Sequence, residues 1–311
     1  MKIVLVGASG FLGRALLSRL GEAGHQCTVF ARNPDACNDL RLIRGVRLVG
    51  GNILDAGSLK PEFAGADLAV SMAGILNEKG RNGAGFRRVH VGSVEAVTEA
   101  AQAAGVPRIW HVSALNAGKG ESHYLKTKGE AEARLRDSGI ATGIFQPSVI
   151  FGPGDSFFNR FADLLALAPL MPLACPEARM QPVYVGDVVD AMTWALEAAP
   201  EGGTWQLGGP RVYTLRELVE FTGMVSGHRR RIIGLPDLLS RLQAGVMDFV
   251  PGKPFSTDNF RSLQTDNVAE RNALPGMGIR PMSIEAVVPR YLGHSLKQNR
   301  LDHYRRSARD D

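Results

Sequence analysis

Residues 4–13 read VLVGASGFLG. A short apolar run gives way to Gly7, Gly10 and Gly13, and a second pattern then begins in which Leu12, Leu16 and Leu20 recur at helical spacing. Strand, glycine turn and helix in that order form a cradle for a pyrophosphate. Gly7 permits the tight turn, Gly10 lets the backbone approach phosphates seated on the helix N-terminus, and Gly13 permits close helix–strand packing. With Ser9, Phe11 and Leu12 completing the loop, the stretch implies dinucleotide binding.

Outward from this loop the first half of the chain keeps the same rhythm. Apolar, β-branched runs at 27–31 (CTVFA), 46–50 (VRLVG), 68–72 (LAVSM), 108–113 (RIWHVS) and 142–146 (TGIFQ) read as further strands. Helical patterns separate most of them, notably at 86–105 and 123–139. Parallel strands need long crossovers, so repeated βα alternation predicts a doubly wound α/β fold, a parallel Rossmann sheet covered on both faces. After about residue 150 come proline-rich loops and longer helical patterns at 187–199 and 215–225. The organisation expected is a dinucleotide-binding Rossmann core over 1–150 and a smaller mixed α/β substrate lobe over 151–311. That lobe packs on the core, with some segments returning to the sheet.

Composition excludes several classes of protein. Apolar residues are 44% and charged residues 22% of the 311, the balance of a folded globular chain. The net charge of +5 is spread along the chain, and its densest run, RRSARDD at 305–311, is diluted by acids. It reads as solvated surface or as attraction to an anionic ligand, membrane or acidic partner, and no nucleic-acid motif appears. Cys27, Cys37 and Cys175 are too few and too far apart for a disulfide framework or a zinc site, which points to a reducing compartment. The most apolar stretch, FADLLALAPLMPLACP, is broken by prolines, carries Asp163 and falls short of the ~20 apolar residues of a spanning helix. From the opening MKIVLVGAS no signal or transit segment is expected ahead of the first apolar run, the alternative being a processed form. A cytoplasmic location is expected, with peripheral attachment to the inner face of a membrane as an extension of it.

The second strand ends TVFARNP, with Arg32 and no carboxylate before Asp35. A cation there suits a ribose 2′-phosphate, so NADP(H) is favoured over NAD(H). Asn52 and Ile53, after the third strand, lie where the adenine edge is expected. Ala73 and Gly74, after the fourth, lie along the cofactor path. Ser113 closes the fifth strand at the carboxyl end, where open α/β sheets bind ligands. Tyr124 and Lys128 then stand one helical turn apart on one face. Alone, that spacing is common on wet helices; behind a glycine loop and Ser113 it reads as an acid–base pair.

With GASGFLG, the serine after strand five, YLKTK and QPVYVGDVVDA in place, the chain resembles the extended and atypical short-chain dehydrogenases/reductases over nearly its full length. The resemblance implies that Ser113, Tyr124 and Lys128 form the catalytic set. The residue types suit the chemistry: a phenol of pKa about 10 becomes useful when an ammonium and a positive nicotinamide stabilise its phenolate. Tyr124 would exchange a proton with a substrate oxygen, Lys128 would also hold the nicotinamide ribose, and Ser113 would hydrogen-bond the reacting oxygen. Gln146 and Pro147, closing the sixth strand, complete the cofactor contacts expected.

The strings HVSALNAG, QPSVIFGPGDSFFNRFA, LGGPRVYTLREL and GKPFSTDNFRSLQTDN are similar to the branch containing the NADPH-binding accessory subunit of respiratory complex I and its bacterial relatives. Part of that branch is tied to quinone biosynthesis. The branch implies two alternatives: an oxidoreductase acting on a small-molecule or lipid-like carbonyl or hydroxyl compound, or a tightly held NADPH in an accessory module of a membrane respiratory or quinone-synthesis complex. A nucleotide-sugar epimerase or dehydratase is a third reading, for which the second lobe shows no diphosphate-binding pattern. Two residues depart from the family: Gln146 replaces an arginine, and His90 replaces an asparagine that positions the active-site helix. His90 reads as a buried packing residue.

Other features read as structural. Asp187 is expected to cap a helix. Phe157, Phe158 and Phe161 suit a core, or else a substrate pocket. The segment LPDLLSRLQAGVMDFVPGKP, 235–254, is amphipathic; its apolar face is expected to pack on its own domain, the alternative being a membrane surface or partner. The seven histidines show no metal spacing.

Overall fold

In the computed structural model, residues 1–250, 253 and 255–292 are described. The first half runs β1 (Lys2–Val6), α1 (Phe11–Glu22), β2 (Gln26–Ala31), β3 (Val46–Gly50), α2 (Ala56–Phe63), β4 (Leu68–Ser71), α3 (Ala84–Ala104), β5 (Arg108–Val112), α4 (His123–Arg136) and β6 (Ala141–Pro147). The second continues with β7 (Ile150–Phe151), α5 (Phe158–Leu167), β8 (Leu170–Leu173), β9 (Arg179–Met180), β10 (Val183–Tyr184), α6 (Val185–Ala198) and β11 (Gly202–Leu207). It closes with β12 (Tyr213–Thr214), α7 (Leu215–Val225), β13 (Arg231–Gly234), α8 (Asp237–Met247), α9 (Thr257–Leu263) and α10 (Ile284–Leu292).

The main sheet is seven-stranded and parallel, in the order β11-β6-β5-β4-β1-β2-β3. The chain runs outward from β1 to β3, returns, and builds the other wing from β4, which places the switch of direction between β1 and β4. Open α/β sheets bind ligands at the carboxyl ends beside such a switch. The fold is the doubly wound α/β sheet expected, and its first six strands fall within one residue of the runs read from sequence. The edge strand β11 comes from beyond residue 150 and pairs with β6 from Gly202↔Thr142 to Leu207↔Pro147.

Both sheet faces are covered, which is why strands such as β4 are buried throughout. One face packs Leu5, Val29, Val70 and Phe145 against Leu16, Leu17 and Leu20 of α1 and Val188, Met192 and Ala195 of α6. The other packs Val4, Val6 and Ala69 against Leu59 and Phe63 of α2, Val94 and Val97 of α3, and Ala131 and Leu135 of α4. A third cluster, with Phe151, Phe158, Leu165, Tyr213, Leu218 and Val287, forms the core of the second region. Phe158 is buried there, and Phe157 and Phe161 pack against the same cluster.

Two expectations need correction. Asp187 does not cap α6; Tyr184 occupies that position without a side-chain bond. The Asp187 carboxylate instead accepts from the Met282 amide at 2.8 Å, tying α6 to the segment ahead of α10, and burial raises its pKa to about 6. Helix α8 also differs: it buries Ser240 and Ala244 and leaves its leucines exposed. Residues 305–311, the basic run at the end of the chain, lie outside the described residues. No described helix is long and apolar enough to cross a membrane.

Candidate active site

The glycine loop is fitted to its neighbours by missing side chains. Gly7 has φ +85°, and a Cβ there would lie 2.5 Å from the Ala73 amide nitrogen. Such a contact requires the backbone to move, so Gly7 lets the ends of β1 and β4 meet. A Cβ at Gly13 would lie 2.1 Å from the Ala8 carbonyl oxygen, so Gly13 lets α1 press on the loop. A Cβ at Gly10 would meet nothing within 4 Å, so that side of the loop is open. Gly10 is the N-cap of α1, which carries no side-chain cap and no acid in its first turn. The first amides of the helix remain available to an anion, and the pyrophosphate of a dinucleotide fits them.

Around this loop, Ser9 is half-buried and its carbonyl accepts from Arg14 Nε at 3.0 Å. Phe11 is half-buried, and Leu12 packs against the core under α1. Arg32 is exposed immediately after β2. Asn52 is exposed too, its Oδ1 accepting from the Leu54 amide at 3.1 Å, while Ile53 packs against the cluster beneath α2. Ala73 is buried under Gly7, and Gly74 lies beside the ends of Lys128 and His90.

Ser113 follows β5 directly. Its amide donates to the Phe145 carbonyl at 2.7 Å, while its buried Oγ has no hydrogen-bond partner among the described residues. A buried hydroxyl without a partner costs about 1–3 kcal/mol, and at the carboxyl end of β5 a ligand oxygen would satisfy it. Lys128 is 4% exposed, and its ammonium donates to the Val112 carbonyl at 2.9 Å, one residue before Ser113. Burial lowers its pKa to about 8, with the Glu132 charge opposing. Burial raises the Tyr124 phenol to about 12. In this arrangement the ammonium is committed to a main-chain carbonyl, and the phenol stays protonated.

The N-terminus of α4, which carries both residues, is held from two directions. Ser122 caps it by accepting from the Leu125 amide at 3.1 Å. Asp258 of α9 accepts from the amides of His123 at 2.6 Å and Tyr124 at 3.1 Å. A carboxylate on these amides satisfies unpaired donors and complements the helix dipole. Nothing in the sequence pointed to Asp258, which reaches across 134 residues to the tyrosine. Glu78 was equally hidden: it is buried and accepts from the amides of Gly83 and Gly85, both at 2.7 Å, at the start of α3.

His90 is buried and makes two bonds that define its tautomer. Its Nε2 accepts from the Ile75 amide at 3.2 Å, so Nδ1 carries the proton and donates to Thr127 Oγ1 at 2.9 Å. Thr127 in turn donates to the His123 carbonyl at 2.7 Å. The ring stands edge-on to Tyr124 at 5.4 Å. Burial, helped by the Lys128 charge, lowers its pKa to about 3. His90 therefore ties the segment after β4 to α4, beyond simple packing. On the other side of α4, buried Gln146 donates to Glu132 at 2.8 Å, and Glu132 also accepts from Arg136. Pro147, also buried, accepts from the Leu115 amide at 3.0 Å and anchors the chain just past Ser113.

The structure thus gathers Gly74, His90, Ser113, Tyr124 and Lys128 at the carboxyl edge of the sheet, with Gln146 turned toward α4 and Arg32 and Asn52 at the far end. A cavity of about 220 Å³ opens at the start of α4, lined by Glu78, Arg81, Phe86, His123, Asp248 and Asp258 among others.

Sheet order and glycine loop define a nucleotide-binding, oxidoreductase-like class, and comparison with known proteins agrees. A family model described as NAD(P)H-binding matches residues 7–152. A mouse protein, NADH dehydrogenase [ubiquinone] 1 alpha subcomplex subunit 9, mitochondrial, is 30% identical over 298 residues, covering 90% of this chain and 76% of its own. A ceramide reductase of Caulobacter vibrioides is 31% identical over 238 residues, covering 76% of this chain and 74% of its own. Among solved structures, a UDP-glucose 4-epimerase of Thermotoga maritima superposes with TM-score 0.75 over 97% of this chain and all of its own, at 17% identity, a likeness of fold alone. The chain belongs to the NAD(P)H-binding, atypical short-chain dehydrogenase/reductase family, in the branch of the complex I subunit and its bacterial relatives.

Proposed function

We propose that the protein is an NADP(H)-dependent oxidoreductase that interconverts a carbonyl and a hydroxyl on a small or lipid-like compound. The observation that carries this reading is the buried, unpartnered Ser113 Oγ, set one residue from the Lys128 anchor on Val112. Bound NADPH supplies the hydride. Ser113 donates a hydrogen bond to the substrate oxygen, and the Tyr124 phenol, kept protonated by burial, gives that oxygen its proton. Lys128 stabilises the phenolate left behind and holds the nicotinamide ribose. Exposed Arg32, at the end of β2, meets the 2′-phosphate and sets the preference for NADP(H) over NAD(H). The likeness to a ceramide reductase supports a long-chain carbonyl compound as substrate.

The test begins with release and identification of the nucleotide that co-purifies. Oxidation of NADPH is then followed with long-chain ketones. Tyr124→Phe is expected to lower turnover at least ~100-fold with NADPH affinity held within about threefold. Arg32→Ala is expected to weaken NADPH about tenfold and leave NADH unchanged. Undiminished turnover in the phenylalanine variant would sink the assignment.

A second reading is favoured by the Lys128 bond to Val112, which leaves the phenol without an ammonium partner. Here the same site retains NADPH structurally, within an accessory module of a membrane respiratory or quinone-synthesis complex. The 30% identity to the mouse subunit supports it. Recovery of the native protein free of any membrane complex, under mild detergent, would count against it.

A further inference from the structure

Helix α8 is built the wrong way round for a helix that packs on its own protein. At about 100° per residue, Leu238, Leu239, Leu242 and Val246, continued by Phe249 and Val250, fall in one sector about 120° wide. That sector faces solvent: Leu238 is 78% exposed, Leu242 63%, Val246 60% and Phe249 72%. The opposite side carries the buried residues, Ser240 and Ala244, and Asp248. Ser240 accepts from the Cys175 amide and donates to the Leu235 carbonyl, and Asp248 accepts from the Thr257 hydroxyl at 2.7 Å, so the helix is anchored by its polar side. The apolar surface continues onto the adjoining strand pair, where Gln243 donates to the Pro172 carbonyl and Leu170 and Ile233 are exposed. Six large apolar residues exposed within thirteen positions form one contiguous patch, the kind that marks a site of association.

Charge around the patch selects what covers it. Exposed Arg229, Arg230 and Arg231 lead into β13, just ahead of the helix; exposed Arg241 lies on its flank; and Arg81 stacks over the Phe249 ring at 4.2 Å. The acids of the segment are Asp237, in the first turn, and Asp248, bonded inward to Thr257. An apolar stripe rimmed by arginines complements a bilayer interface with anionic headgroups, where leucines enter the acyl boundary and guanidinium groups meet phosphates. We propose that α8 docks the protein on the surface of an anionic phospholipid membrane, lying in the interfacial plane. Asp248, on the inward side of the helix, and Lys253 beyond it line the cavity beside the start of α4.

The test uses the full chain with its co-purified nucleotide and extruded vesicles of either pure phosphatidylcholine or phosphatidylcholine with a phosphatidylglycerol fraction. Sedimentation is expected to show at least tenfold tighter binding to the anionic vesicles, weakened by added salt. Leu242→Glu combined with Val246→Glu is expected to lower that binding at least tenfold, with secondary structure and bound nucleotide unchanged. Three results would overturn the proposal. They are protein that stays in the supernatant with both vesicles, binding indifferent to headgroup charge, and a self-associated species on gel filtration that the double variant dissociates, which would assign the face to a second copy of the chain. The readout needs no turnover and is independent of the activity proposed above.

Discussion

Replacing His90 with asparagine should make the fold less sensitive to acid. In the folded protein His90 is buried and held neutral, with a pKa lowered to about 3 from 6.5. A depressed folded-state pKa means that the unfolded chain takes the proton first. The stability that neutral His90 preserves is therefore complete above pH ~6.5 and is lost as pH falls from there toward ~3. At about pH 5 the loss is roughly 1.5 units, or about 2 kcal/mol. Asp187 works the other way: its raised pKa of about 6 favours the folded state on acidification, and its contribution fades as pH rises from ~4 through ~6. Comparing the two proteins at each pH cancels Asp187 and the other titrations that do not feel His90; His111, also buried and held neutral, is the group that senses the His90 charge. Urea unfolding near pH 7.5 and near pH 5, followed by intrinsic fluorescence, should show a drop in stability smaller by about 2 kcal/mol in His90→Asn. For a chain of this size that is roughly half a molar in midpoint. Equal drops in the two proteins would refute the claim that the buried imidazole sets this sensitivity.

Three further outcomes follow from the site. Gly13→Ala forces a Cβ to 2.1 Å from the Ala8 carbonyl and should cost about 3 kcal/mol, whereas Gly10→Ala meets no atom within 4 Å and should spare the melting temperature while weakening NADPH; thermal melts and nucleotide titrations of both variants check this. Asp258→Ala removes the carboxylate from two amides of α4 and should lower kcat more than it changes KM or NADPH affinity; steady-state kinetics showing an effect confined to nucleotide binding would refute that positioning role. Lys128, with a pKa lowered to about 8, should lose its charge above that pH, so nucleotide affinity falls. Over the same range, from ~8 to ~10.5, folding stability rises, because ionised Lys128 is a burden the unfolded chain does not carry. Lys128→Met should flatten both profiles.

How much of this was legible in the sequence depended on range. Strands such as β1 and β4 were readable because runs like IVLV and LAVS are buried on both faces and announce themselves by composition alone. The glycine loop was readable because strand, turn and helix are consecutive there. Helix α2 was not singled out, since AGSLKPEF is short and holds Pro61. The tertiary partners of the site were beyond reach: Asp258 sits on another element, and a carboxylate that will meet helix amides looks, in sequence, like any surface acid. The His90 substitution was visible, but its bonds to Ile75 and Thr127 depend on how the segment after β4 folds back on α4. The inverted orientation of α8 was also invisible, because a helical period shows that one face is apolar without showing which face meets the protein.

The late arrival of β11 has a consequence for biosynthesis. Until residue 207 leaves the ribosome, β6 presents an uncovered strand edge, a template for pairing with other nascent chains. The amides at the start of α4 wait longer still, for Asp258. A chain truncated near residue 150 would thus leave that edge unpaired and the first amides of α4 without their carboxylate.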